Sequence, residues 1–238
     1  MTIRHFYVKK DIGKEKQRKR GIRMGKVDMN KKQKKEALLN PAFSLFTSKG
    51  FQNTSISDIV KEAGVAKGTF YLYFTDKYDI RNKLIAHQAT MLLFDAYHSV
   101  TERGITGFER QIIYMADFII DRLNTDRSLL KLISKHLSWG VFRNNMISFH
   151  DDQDHNAYEL FVNVLHDSGY EFYDPEIMIY MIIETVSSSI YNPILYEQPV
   201  PLEKIKPYLY RSISEIIQRH IVADTNEVKE TDCHSDCP

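Results

Sequence analysis

From Lys31 to His220 every strong apolar period in this sequence is helical, and no stretch alternates cleanly at the two-residue period of a strand. That property restricts the chain to all-α architectures, in which helices bury apolar stripes against one another. Leu38, Leu39, Phe43, Leu45 and Phe46 form a first stripe that stops at Gly50. Pro41 lies inside it, and Asn40-Pro41 read as a cap and first helical residue would split or kink that helix. Ile80, Leu84, Met91, Phe94 and His98 mark a long helix, and Phe108, Ile112, Met115, Ile119 and Leu123 mark the next. One or two shorter helices around Trp139 follow, then one carrying Tyr158, Phe161, Val162 and Leu165 and ended by Gly169. Pro175 opens a densely apolar helix from Ile177 to about Ile190, and Pro193, Pro199 and Pro201 bound a loop. Ile205, Leu209, Ile213, Ile216 and His220 define a last helix, with a bend expected at Pro207.

Charge divides this helical chain in two. The formal net charge is +1, yet residues 1–86 hold 20 Lys/Arg against 8 Asp/Glu, and residues 87–238 hold 12 against 23. A basic front on an acidic body suits a head that binds a polyanion, joined to a part that should stay off it. Residues 1–30 read as a basic flexible arm, with Gly13, Gly21 and Gly25 interrupting any helix and Lys14 to Arg23 suited to extra phosphate contacts. Met24 and Met29 are alternative starts, in which case the arm is a start-site artefact. Residues 31–86 form the head, residues 87–223 the helical body, and residues 224–238 a polar disordered tail.

The head contains a helix-turn-helix pattern at about residues 55–74. Ser55-Ile-Ser-Asp58 has capping-box spacing, with Asp in the usual Glu/Gln place, and opens a short helix through Ile59, Val60 and Ala63. Gly64 ends it, and after a short turn a second segment starts at Gly68. Phe70 and Phe74 are four apart, so they share a face that packs back on the head. Thr69, Tyr71, Leu72 and Tyr73 are then presented outward, beside Lys67 and Lys77. Gly68 at the helix start lets a partner's backbone approach closely, and the free N–H groups there favour phosphate. Thr54 suits a phosphate contact and the turn equally.

The stretch Phe51 to Lys77, FQNTSISDIVKEAGVAKGTFYLYFTDK, closely resembles the DNA-binding head of the TetR (TetR/AcrR-like) family of bacterial transcriptional regulators. The likeness extends over LLNPAFSLFTSKGF before it and KYDIRNKLI at its end, about residues 31–86. By that resemblance Lys67, Gly68, Tyr71 and Leu72 would meet base edges, while Ser55, Thr69, Tyr73 and Lys77 would clamp phosphates. Base contacts specify and phosphate contacts position. The resemblance implies a helical ligand-sensing and dimerisation domain after the head, and a homodimer through the last two helices. It also implies a double-stranded, pseudo-palindromic DNA operator and an unidentified small-molecule effector that releases a repressor from it.

The body agrees with a dimer on its own terms. Residues 177–183 are apolar nearly all round, as when a helix is covered by its own subunit and by a partner, although a central core helix looks the same. Ser187, Ser188 and Ser189 would permit close helix approach. Met91, Phe94, Met115, Phe118, Trp139, Phe142, Tyr158 and Phe161 are candidate pocket residues, bulky and adaptable, with plain core as the competing reading. His87, His98 and His136 lie on or near apolar stripes and read as core histidines.

Several functions are set aside. The longest apolar run falls well short of the roughly 20 residues of a membrane-spanning helix, and the charged start leads us to expect no secretory signal. Cys233 and Cys237, both near the end, provide no disulfide framework, and a cytoplasmic location is expected. Asp151, Asp152, Asp154 and His155 read as an acidic loop before a helix, and Cys233 with Cys237 falls short of a four-ligand metal site. No Gly-rich phosphate loop, nucleophile elbow or HExxH is found, so neither an enzyme nor a cofactor is expected. The competing function is a DNA-binding activator or chromosome-organising factor without ligand sensing.

Overall fold

The helical periods become nine α-helices among the residues that the computed structural model describes, 26–134 and 157–222. They are α1 (Lys26–Ser48), α2 (Ile56–Glu62), α3 (Lys67–Tyr71), α4 (Lys77–Glu102), α5 (Phe108–Thr125), α6 (Arg127–Ser134), α7 (Ala157–Asp167), α8 (Pro175–Tyr196) and α9 (Leu202–His220). The one extended pairing among the described residues is an isolated antiparallel bridge between Phe172 and Ile221. The fold is all-α, as the periodicity requires.

Helices α1 to α3 and the start of α4 form the head. Leu38, Leu39, Ala42, Phe46, Ile59, Val60, Phe70, Phe74, Ile80, Leu84 and Ile85 close one apolar core there. The expected break at Asn40-Pro41 does not occur: α1 is one helix of 23 residues with Pro41 inside it. Pro41 removes one backbone hydrogen bond, but Leu38 and Leu39 before it and Ala42 and Phe46 after it are all buried in the same core. That shared burial keeps both halves in one continuous helix. Helix α1 also begins at Lys26, so the last residues of the expected arm are helical.

The body packs α8 along α9, with α5 and α6 against them and α4 running up from the head. The stripe expected on α4 shifts after Leu84. Its buried face continues through Ala89, Leu92, Ala96 and Val100, whereas Met91 is exposed and His98 lies on the surface beside Glu102. Alanines bring the α4 backbone closer to its neighbours than Met or His could, so small residues carry the interface. On α5 the expected stripe is the inward one, with Phe108, Met115 and Leu123 buried. Helix α8 runs through Pro193 to Tyr196, six residues past the expected end, because Pro193 and Ile194 are buried in the body core.

Polar pins tie the body together. Lys206 on α9 reaches α5, its ammonium 2.9 Å from Asp117 Oδ1 and 2.5 Å from Asp121 Oδ1. Burial alone would lower the Lys206 pKa, but hydrogen bonds to Asp121 and Asp117 outweigh it and hold the group above its ordinary 10.5. The Tyr210 hydroxyl donates to Asp117 as well, and burial together with that bond pushes its pKa well up.

Candidate nucleic-acid interface

Helix α2 starts as its spacing dictates. Ser55 Oγ accepts from the Asp58 N–H at 3.1 Å, and the Ser55 N–H donates to Asp58 Oδ2 at 2.9 Å, a reciprocal capping box. The hydrogen bonds from the Ser55 backbone and hydroxyl hold the Asp58 carboxyl below its usual 3.8. At the other end Gly64 takes φ +66°, and the N–H of Val65 reaches back to the Val60 carbonyl at 3.0 Å. That is a Schellman closure, which needs a residue at ease in the left-handed region. It reverses the chain within a few residues and sets α3 across α2.

The recognition segment begins at Lys67, with Ala66 as its cap, and its helix ends at Tyr71, shorter than the segment through Phe74 that the sequence suggested. Phe70 and Phe74 are buried, their rings 5.5 Å apart. Tyr71 is 53% exposed and Leu72 77% exposed, although both belong to the types that normally seek a core. Lys67 and Gly68 are exposed beside them, and Thr69 is half-buried. Tyr73 is also half-buried and packs on the head core, so it presents less outward surface than expected. A Cβ added at Gly68 would meet nothing within 4 Å, so the fold itself places no demand for glycine there.

Two residues have roles that their sequence neighbours hide. Thr54 is the buried polar side chain of the described residues, and its hydroxyl donates to the carbonyls of Gly50 at 2.9 Å and Leu45 at 3.3 Å. It therefore belongs to the turn after α1. Lys77 points inward rather than away from the head. Its ammonium donates to the Phe51 carbonyl at 2.9 Å and lies 4.5 Å from the centre of the Phe51 ring. Lys83, which the sequence reading passed over, donates to the Tyr73 carbonyl at 3.1 Å and pairs with Asp79. Helix α4 thus grips both ends of the helix-turn-helix, Lys77 at the turn before α2 and Lys83 at the turn after α3.

Behind the head, α4, α5, α6 and α8 line a partly open apolar cavity of about 140 Å³. Of the candidate pocket residues, Met115 lines it. Phe94, Phe118 and Phe161 are half-buried and Met91 is exposed, all away from its wall. Trp139, Phe142 and the side chain of Tyr158 lie outside the described residues, as do the Asp151–His155 cluster, His136 and both cysteines. The wall consists of shorter aliphatic side chains, among them Leu92, Ile119, Ile133, Ile182 and Ile190. Phe94 and Phe118 instead pack against the neighbouring clusters of the body core. Adjacent residues on α6 face two ways: Leu132 packs in the head core, and Ile133 lines the cavity.

A short helix that buries one aromatic face and offers a second, behind a tight turn on a capped helix, defines a helix-turn-helix DNA-binding head on a helical body. Residues 38–84 match the family model of bacterial regulatory proteins, tetR family. Over 88 residues the chain is 50% identical to the HTH-type transcriptional regulator YvdT of Bacillus subtilis, a match spanning 37% of this chain and 42% of that relative's length. A TetR-family regulator from Syntrophomonas wolfei shares the fold at TM-score 0.56 and 18% identity, over 82% of this chain and all of that one. FadR from Bacillus subtilis, solved with stearoyl-CoA, shares it at 0.53 and 17%, over 75% of this chain and 96% of that one. The head formed by residues 38–84 is of the type found in the TetR family of bacterial transcriptional regulators. No helix among the described residues is long and apolar enough to cross a membrane.

Proposed function

We propose that the protein is a homodimeric repressor that reads a pseudo-palindromic operator through two copies of α3 and is released by a small molecule. The observation that carries the DNA reading is the exposure of Tyr71 and Leu72 opposite the buried Phe70 and Phe74. Exposed apolar surface next to a base-accessible lysine and an unconstrained glycine suits a major groove, where thymine methyls and base edges meet such side chains. Lys67, Gly68, Tyr71 and Leu72 face base edges. Ser55, Thr69 and Tyr73 lie beside them to meet phosphates, and Lys77 adds charge while bracing the motif.

Dimerisation is supported by α8, whose residues divide three ways. Met178 is buried in the core, Ile179, Ile182 and Ile183 line the cavity, and Ile177, Tyr180 and Met181 are exposed along one side. A second α8–α9 pair would cover that exposed stripe, and two heads would then meet half-sites about one helical turn (34–36 Å) or a multiple apart. Release is supported by α6, which touches the head core and the cavity through neighbouring residues. A ligand that prefers the geometry unable to span both half-sites shifts the population off DNA. FadR, which carries stearoyl-CoA in its solved structure, offers a precedent on the same fold for an effector with an apolar tail.

The test is operator binding by the Lys67→Ala/Tyr71→Ala double variant. Loss of sequence-specific binding with unchanged folding supports the reading, and intact binding removes α3 as the recognition element. An activator or organising factor without sensing would show no stabilisation by any small molecule in a melting screen.

A further inference from the structure

We infer that the effector enters the cavity as an uncharged aliphatic group of about six carbons, with at most a hydroxyl as its polar end. This rests on the proposed role of the cavity as the effector site. Among the described residues its wall is Ala, Leu, Ile, Val and Met, with Ser187 as the single polar side chain. Among the described residues the wall has no carboxylate to receive a cationic drug and no Lys, Arg or His to receive an acid. The same described residues include no aromatic ring on which a planar cation would stack. A charged group brought against these side chains would lose hydration without gaining a partner from them, which favours an uncharged occupant. An apolar chamber of about 150 Å³ stays dry and holds one small hydrocarbon, and this one is about 140 Å³. Ser187 is half-buried, and its own contact, to the Glu184 carbonyl at 3.4 Å, is long enough to give way to a ligand hydroxyl. Three serines in a row suggested close helix packing, but the first of them faces the cavity.

The experiment compares 1-hexanol, hexanoate and hexylammonium, which share one chain and differ in charge, on the full-length protein. Isoleucine-methyl NMR separates the site from the rest: Ile119, Ile182 and Ile190 line the cavity, while Ile59 and Ile80 lie in the head core. 1-Hexanol is expected to shift the cavity methyls saturably and to raise Tm by about 3–6 °C at ten times its Kd. The two ions are expected to bind at least tenfold more weakly. Ala116→Leu, or Ala89→Val if the first variant folds poorly, fills the cavity and should abolish the shifts. Equal or tighter binding of hexanoate or hexylammonium at these methyls overturns the inference, as does the absence of any saturable shift with 1-hexanol. If 1-hexanol binds as expected but leaves operator affinity unchanged, the ligand class stands and the release reading fails.

Discussion

Leu72→Ala should separate folding from DNA binding, because its side chain is exposed on the face proposed to meet DNA. The side chain is 77% exposed, so little of it contributes to the head core. Truncation should therefore lower stability by less than about 0.5 kcal/mol, as for surface positions generally. Covering that exposed part against base edges is worth far more. Burying a leucine fully gives about 1.5–3 kcal/mol, and allowing for what alanine retains leaves about 1–2 kcal/mol per head. Two heads in a dimer give about 2–4 kcal/mol, a loss of roughly 30- to 1000-fold in operator affinity. Phe70→Ala, two residues away but fully buried, should instead cost about 3–5 kcal/mol of stability. Urea unfolding followed by circular dichroism gives the first quantity, and fluorescence anisotropy on a labelled operator duplex gives the second. A stability loss above about 1 kcal/mol for Leu72→Ala, or operator affinity within twofold of the parent, would refute the assignment of this face to DNA.

Three further outcomes follow from the geometry. Pro41→Ala restores a helical hydrogen bond inside α1 and should stabilise the protein by about 1–3 kcal/mol in thermal melts, whereas no change would mean the helix is already relaxed around the ring. The Asp58 carboxyl should titrate below 3.8 by NMR, so its support of α2 is present above that pH and is lost as pH falls through the lowered value. Ser55→Ala should return the midpoint towards 3.8. Lys206 is shifted the other way: its link to Asp117 and Asp121 is fully present below pH 10.5 and lost as pH rises through the raised value. Lys206→Met should therefore flatten stability above pH 10.5 and cost about 1–2 kcal/mol at neutral pH in urea unfolding.

How far the sequence could be read depends on the range over which each signal acts. The Ser55–Asp58 cap, the Gly64 turn and the opposed faces of α3 are set by residues within about one helical turn of each other, so spacing alone reveals them. Lys77 looked like a free phosphate ligand because its carbonyl partners lie about 25 residues away, across the α1–α2 turn. Pro41 looked like a break because local propensity counts the lost hydrogen bond and not the core that anchors both sides of it. The cavity was least legible. Large side chains suggested a pocket lining, yet a cavity forms where side chains are too short to meet, so alanines and aliphatics of four helices line it. Periodicity tells which face of a helix is buried but not whether a neighbour, a void or a second subunit covers it. Helix α8 has the first two, and the proposed dimer would supply the third.

The most direct measurement of the central claim is anisotropy of a duplex selected by footprinting against a scrambled duplex, over a series of salt concentrations. Sequence reading by α3 should give at least about a thousandfold preference for the selected site, affinity that falls steeply as salt rises, and loss of that preference in Lys67→Ala/Tyr71→Ala. Equal affinity for the two duplexes, or a preference that survives the double variant, would contradict it.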